Sequence, residues 1–213
     1  MDIIFVTNKK SEGWEKRLDD LDKSIASTDN IIFTGLDASA SVNRNFGLDK
    51  VVTKEFIMLD DDIEGFHPTW TDRFAQHMWY NEKIVCMTAR LLNPDGSWGP
   101  MMGNNNDYTS RHARAGKSGY NGYTRLPTAC LILKKNHLRY DEGYIGSGYE
   151  DTDMMNQLNI LYPDGEFHIN NDVKLTHLNE QKSQGGKFFD HNKEHYLSKY
   201  PDDPSVQNQT DWT

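Results

Sequence analysis

Long hydrophobic runs are missing from this sequence. Apolar stretches such as Ile3 to Val6 and Phe56 to Leu59 stop after four residues. A membrane-spanning helix needs roughly 20, so no span is expected. The opening segment Met1–Val6 is acidic and too briefly apolar to read as a secretory leader. Cysteine is scarce too. Cys86 and Cys130 both sit inside apolar runs, which excludes a disulfide framework and points to a reducing, cytoplasmic setting. Basic charge is in deficit, with 23 Lys and Arg against 32 Asp and Glu and a net charge of −9. That balance excludes a surface that binds nucleic acid all over. There is no internal repeat and no domain linker, and 213 residues suit one domain with a substantial core.

What is present alternates strand and helix. Ile3-Ile4-Phe5-Val6 reads as a buried strand. Trp14, Leu18, Leu21 and Ile25 then form one apolar helical stripe. Ile31–Phe33 is a second strand, Val42 to Asp49 a short polar helix, and Phe56–Leu59 a third strand. This order predicts an α/β domain with a mostly parallel central sheet flanked by helices. A helix from Pro68 or Thr69 carries Trp70, Phe74 and Met78, and Ile84–Met87 is strand. Residues 93–125, rich in Gly and Asn, read as a long functional loop. Ala129–Leu133 is strand, Thr152–Leu161 a helix ended by Pro163-Asp164-Gly165, and Val173–His177 closes the sheet. An amphipathic helix, Phe188–Tyr200, and a polar tail follow.

Two carboxylate clusters carry the chemistry. Asp60-Asp61-Asp62 follows a core strand directly, and open α/β sheets bind ligands beyond the carboxyl ends of their strands. Asp60 and Asp62, at alternate positions, can face one hard divalent ion, Mg²⁺ or Mn²⁺. Such an ion would neutralise a leaving diphosphate. An exposed acidic turn is the plain alternative, and phosphoryl-transfer enzymes use similar runs. The second cluster, Gly146-Ser147-Gly148-Tyr149-Glu150-Asp151-Thr152-Asp153, opens a helix. Capping by Asp151 accounts for an acid or two. The glycines suit close approach of backbone to a ligand, and a carboxylate there can act as general base for an acceptor hydroxyl. His177 ends an alternating strand. It is a structural histidine unless that strand reaches the same crevice.

Together these segments resemble the GT-A fold glycosyltransferases of the large inverting family 2. Ser41-Val42-Asn43-Arg44-Asn45-Phe46-Gly47-Leu48 is similar to the family's Arg-Asn-x-Gly segment, and Phe56–Asp62 to its DXD strand. Tyr140-Asp141-Glu142 through Gly146, Gly148, Glu150, Asp151 and Asp153 is similar to its acceptor-side signature. His177 falls where such enzymes place a last metal-binding histidine. The resemblance implies a domain over 1–180, with a nucleotide part about 1–65 and an acceptor part about 66–180, then a C-terminal helix and tail over 181–213. It implies Asp62 and His177 as metal ligands, with Asp60 helping to hold metal or ribose. Asp61, Arg44, Thr7, Asn8 and Gly148 would serve the nucleotide sugar, expected to be UDP-linked. Asp151 would be the base, with Glu150 its alternative, giving inversion at the anomeric carbon. Ile31 to Asn45 is too short for the family's second strand–helix pair, so the fold is expected to be reduced by about one such unit.

The acceptor is less defined. From Arg111 to Arg139 there are seven basic residues and no Asp or Glu. Trp98, Tyr120 and Tyr123 lie with Arg111, Arg114 and Arg125 in or beside the long loop. Aromatic rings stack on sugars and bases while guanidinium groups bind phosphate. A solvated loop, a grip on the donor diphosphate, and a polyanionic acceptor such as hydroxymethylated DNA all fit. Glycan, lipid-linked and protein acceptors stay open, and so does the oligomeric state. A nucleotidyltransferase is the rival enzyme, but Thr7–Gly13 lacks its Gly-rich phosphate loop. A sugar- or metal-binding module is the rival without catalysis, and it would have no use for the second carboxylate cluster.

Overall fold

A computed structural model describes residues 1–99, 112–114, 126–178 and 187–207. The first strand, β1 (Asp2–Val6), is buried at all five positions. It is covered on both faces, which is why its sequence is continuously apolar and not alternating. Helix α1 (Trp14–Ser24) and strand β2 (Asn30–Phe33) follow, then α2 (Ala40–Leu48). Ser39 caps α2 by accepting from the Val42 N–H at 3.3 Å. Strand β3 (Glu55–Asp60) runs one residue further than its apolar core, so Asp60 is still in the sheet.

The next elements are β4 (Ile63–Glu64), α3 (Trp70–Tyr80) and β5 (Ile84–Leu92). After them come β6 (His112–Arg114), β7 (Cys130–Lys134), α4 (Glu150–Leu161) and β8 (Glu166–His177). The described chain ends with α5 (Phe189–Lys199) and a single turn, α6 (Pro204–Gln207).

The strands form one mixed sheet in the order β2-β1-β3-β7-β5-β8-β4, with β6 also on β8. Strands β1, β2, β3, β5 and β8 run one way; β4, β6 and β7 run the other. Val6 stands beside Asp60 across β1 and β3, and Leu92 stands beside Thr176 across β5 and β8. The carboxyl ends of these strands therefore share one edge, and the carboxylates gather there.

Several expectations change in extent. Strand β5 continues five residues past Met87. Residues 93–99 form a hairpin, with Leu92 bridging Trp98. Together with β6, this puts ordered structure inside the segment read as loop. β8 begins seven residues before Val173 and shifts register between its partners Ala89 and Arg90. Such a bulge breaks the alternation that would have marked the strand. The helix read from Thr152 starts at Glu150 with Tyr149 as N-cap and no side-chain cap, so Asp151 caps nothing.

The main core spans both faces of the sheet, with Leu21, Trp70, Phe74, Met155 and Leu158 fully or almost fully buried. Cys86 and Cys130 are buried free thiols, and burial pushes both pKa values well up. A second core cluster joins Tyr144 and Tyr149 to Phe189, Tyr196 and Val206. The amphipathic helix read over 188–200 is α5, packed onto the domain. The polar-tail reading does not hold for 201–207, where α6 places Val206 in the same cluster.

Candidate active site

The Arg-Asn-x-Gly segment lies on α2, and each residue has a distinct task. At Gly47 an added Cβ would meet Ile4 Cγ2 at 2.3 Å, so only glycine lets α2 sit this close to β1. Asn45 clamps the 140–142 segment. Its side-chain oxygen accepts from the Tyr140 N–H at 2.8 Å. Its amide donates to the Tyr140 carbonyl at 2.9 Å and to Glu142 at 2.8 Å. Arg44, 3% exposed, reaches the site itself. Its Nη2 donates to both Asp60 oxygens at 3.1 and 3.2 Å. Its Nη1 donates to Glu150 Oε1 at 3.0 Å and Asp151 Oδ1 at 2.9 Å. The Tyr140 ring lies 5.1 Å from Cζ, while Nε is buried without a partner. The expectation that Arg44 grips the nucleotide changes accordingly: its terminal nitrogens are taken by three carboxylates.

Burial raises Asp60 to about 6 against the pull of Arg44, with Asp62 and Asp151 adding to the rise. Burial and the neighbouring Asp151 lift Glu150 to about 7 despite Arg44. Burial opposes the charge on Arg44, yet Asp151 and Asp60 hold its pKa well above the ordinary value. Among the described residues, four carboxylates (Asp60, Asp62, Glu150 and Asp151) face Arg44 and His177. This cluster is short of positive charge.

The middle aspartate faces a different way. Asp61 is buried and accepts from the Thr7 hydroxyl, and from Ser11 Oγ at 2.7 Å. Its carbonyl accepts from the Arg17 Nε–H. Burial raises the Asp61 pKa and the two hydroxyls oppose the rise. Thr7 and Asp61 thus brace the strand ends from beneath, and Asn8 turns to accept from the Lys10 N–H at 3.0 Å. Ser11 and Arg17 went unnoticed in the sequence. Arg17 did leave a signal, a charged residue at i+3 from Trp14 on an apolar stripe.

Asp62 meets His177, with His177 Nε2 3.2 Å from Asp62 Oδ2. The two-residue strand β4 causes this, because Ile63 pairs with His177 and the Asp62 carbonyl accepts from the Leu178 N–H at 3.0 Å. The strand carrying His177 does reach the crevice. Among the described residues no set of three His, Cys, Asp or Glu side chains is arranged to hold a metal. Asp60, expected as a third ligand, has both oxygens on Arg44. One carboxylate and one imidazole still suit a divalent ion that takes its remaining ligands from phosphate and water.

At the start of α4, Asp151 is 35% exposed at its side chain and Glu150 3%. Glu150 also accepts from the Gly148 N–H. Of the two, Asp151 has access to a ligand. The glycines work differently from expectation. Gly148 has φ +114°, a turn conformation, and Gly146 approaches a ring of the protein: an added Cβ would meet Phe188 at 2.8 Å. Asp153 points away from the site and is bound by Lys199, by the Tyr200 hydroxyl at 2.7 Å and by Gln157 at 3.2 Å.

The basic stretch is divided by β7. Lys134 and Lys135 sit at the opposite edge of the sheet, donating to the carbonyls of Glu82 and Val51, and Arg139 pairs with Asp49 at 2.8 Å. These three therefore lie apart from the edge where the carboxylates gather. Trp98, 43% exposed, lies 4.5 Å from the Arg90 guanidinium. It sits on the hairpin beside the strand pair that leads to His177. Arg114 is described by its backbone in β6, while Arg111, Tyr120, Tyr123 and Arg125 lie outside the described residues.

No protein-family model and no curated protein sequence matches the chain. Solved structures do resemble it. TarS of S. aureus aligns over 95% of this chain and 40% of its own, with TM-score 0.61 and 12% identity. GalNAc-T7, crystallised with UDP, GalNAc and Mn²⁺, aligns over 94% and 44%, with TM-score 0.50 and 12% identity. A197 from STIV aligns over 85% and 87%, with TM-score 0.51 and 10% identity. The chain spans less than half the length of TarS and of GalNAc-T7. The shared architecture is the GT-A fold, here in a reduced form.

Proposed function

We propose that the protein is a metal-dependent, inverting glycosyltransferase that moves a sugar from a nucleoside diphosphate donor, UDP-linked in the simplest case, to an acceptor hydroxyl. The observation that carries this reading is the meeting of Asp62 and His177 at 3.2 Å, beside the carboxylates that Arg44 organises. Its support from likeness is the GT-A fold and the UDP, GalNAc and Mn²⁺ in GalNAc-T7.

Asp62 and His177 would hold the cation, which when bound neutralises charge on the departing diphosphate. Asp60, kept in place by Arg44, borders the donor. Asp151 takes the proton of the attacking hydroxyl, and its Arg44 contact at 2.9 Å orients it. Glu150 supports the loop through Gly148. A single base opposite the leaving group gives inversion. Trp98 borders the acceptor side.

The test is release of free nucleoside diphosphate from a panel of nucleotide sugars with Mn²⁺, comparing wild type with Asp62→Ala. Metal-dependent release from one donor, lost in the variant, supports the reading and names the donor. Absence of both release and metal-dependent nucleotide binding overturns it, leaving a binding module on this fold.

A further inference from the structure

The segment that carries Glu150 and Asp151 is held from behind by the C-terminal helix. Asn192 of α5 donates to the Ile145 carbonyl at 2.9 Å and to the Ser147 carbonyl at 3.3 Å, and accepts from the Ile145 N–H at 2.9 Å. Cβ atoms added at Gly143 and Gly146 would meet the His195 ring at 2.7 Å and the Phe188 ring at 2.8 Å. The loop backbone is therefore pressed onto α5 and its N-cap. Asp141 accepts from His195 and Lys199, both at 3.0 Å.

Two features tie this contact to the direction of the site carboxylates. Tyr149 has φ +67°, a left-handed conformation that L side chains avoid. Its ring stacks on Tyr196 at 5.4 Å and lies 6.0 Å from Phe189, so α5 stabilises the turn that aims Glu150 and Asp151 at Arg44. One helical turn on, Asp153 is fully buried, and its oxygens are held by Lys199 and Tyr200. A buried carboxylate needs such partners; Gln157 of α4 supplies one at 3.2 Å, and the other two come from the C-terminal segment.

We propose that Lys199 and Tyr200 are positioning residues, which through Asp153 fix the start of α4 and so the placement of Asp151 against Arg44. This rests on the proposed function for its chemistry but not for its mechanics. Lys199 touches no residue assigned to the donor or metal, so losing it separates turnover from binding.

The experiment uses the full chain as wild type, Lys199→Met, Tyr200→Phe and Lys199→Arg. Amide hydrogen exchange is followed over 146–153 and over 55–62, with Mn²⁺ and UDP binding and transfer kinetics in parallel. In Lys199→Met, exchange over 146–153 speeds up on the order of tenfold while 55–62 keeps its protection. Mn²⁺·UDP affinity and donor KM stay within about twofold, whereas kcat falls about 10- to 100-fold, as misplaced reacting groups require. Tyr200→Phe gives a smaller change of the same kind, and Lys199→Arg restores most of the turnover. Unchanged exchange over 146–153, or equal acceleration over 55–62, overturns the proposal. So does wild-type kcat in Lys199→Met. If wild type transfers no sugar, the proposed function fails, and the exchange data alone still decide whether this brace exists.

Discussion

Replacing Arg44 by Met tests the organisation of the site most severely. The guanidinium is almost fully buried and bonds to Asp60, Glu150 and Asp151 at 2.9–3.2 Å. Met keeps much of the volume and all of the apolar stem, so the loss is electrostatic. Removing one side of a buried ion pair costs about 3–5 kcal/mol, because the remaining charge is left without compensation. For a chain of this size that lowers Tm by roughly 6–20 °C. The loss is also pH-dependent. Folded Asp60 and Glu150 titrate near 6 and 7, above the unfolded carboxylate range near 4. A raised folded pKa means stability that is full below pH ~4 and lost as pH rises through 6 to 7. Without Arg44, which holds both values down, that slope steepens. The assay is thermal unfolding by circular dichroism in EDTA at pH 5 and pH 8. Arg44→Met should lose more relative to wild type at pH 8 than at pH 5. An equal loss at both, or a total below about 1 kcal/mol (roughly 2–4 °C), would show that Arg44 does not hold the three carboxylates together.

Three further outcomes follow from single contacts. Gly47→Ala, with its Cβ directed at Ile4 Cγ2, should cost about 1–3 kcal/mol in denaturant unfolding, since neither α2 nor β1 can yield freely. Burial tends to raise Asp141, but the Gly143 N–H, Lys199 and His195 together hold it near 2. The docking of α5 should therefore be fully stable above pH ~4 and weaken as pH falls towards 2. Far-UV circular dichroism and tyrosine fluorescence across that window check it, with Asp141→Asn flattening the change. Asp151→Asn should lower transfer about 10²- to 10⁴-fold with UDP and Mn²⁺ still bound; Glu150→Gln should lower it less, and the reverse order would move the base to Glu150.

Much of the fold was legible because β1, β3 and β7 are buried on both faces and announce themselves as apolar runs between polar helices. The first cluster of carboxylates was legible for the same reason, since charge directly after a core strand is conspicuous, and the second stood out by the glycines that precede it at a helix start. What escaped depends on pairing across the chain. Ile63-Glu64 is too short to carry a pattern, yet it brings His177 to Asp62. The bulge in β8 hid its first half. Charge counting merged Lys134 and Lys135 with the loop before them, although a five-residue strand carries them to the far edge of the sheet. The inward turn of Arg44 was hidden because a motif records residue types but not which atoms are already bound. Asp153 was grouped with the site carboxylates by spacing, and only the packing of α5 shows why it faces away.

The pairing of Asp62 with His177 as a metal site is tested by Mn²⁺ binding followed by electron paramagnetic resonance, with and without UDP. Wild type, Asp62→Ala and His177→Ala should be compared. Mn²⁺ binding should tighten when UDP is present and weaken by about 10- to 100-fold in either variant. UDP binding equally well without metal, or Mn²⁺ affinity unchanged in both variants, would contradict it.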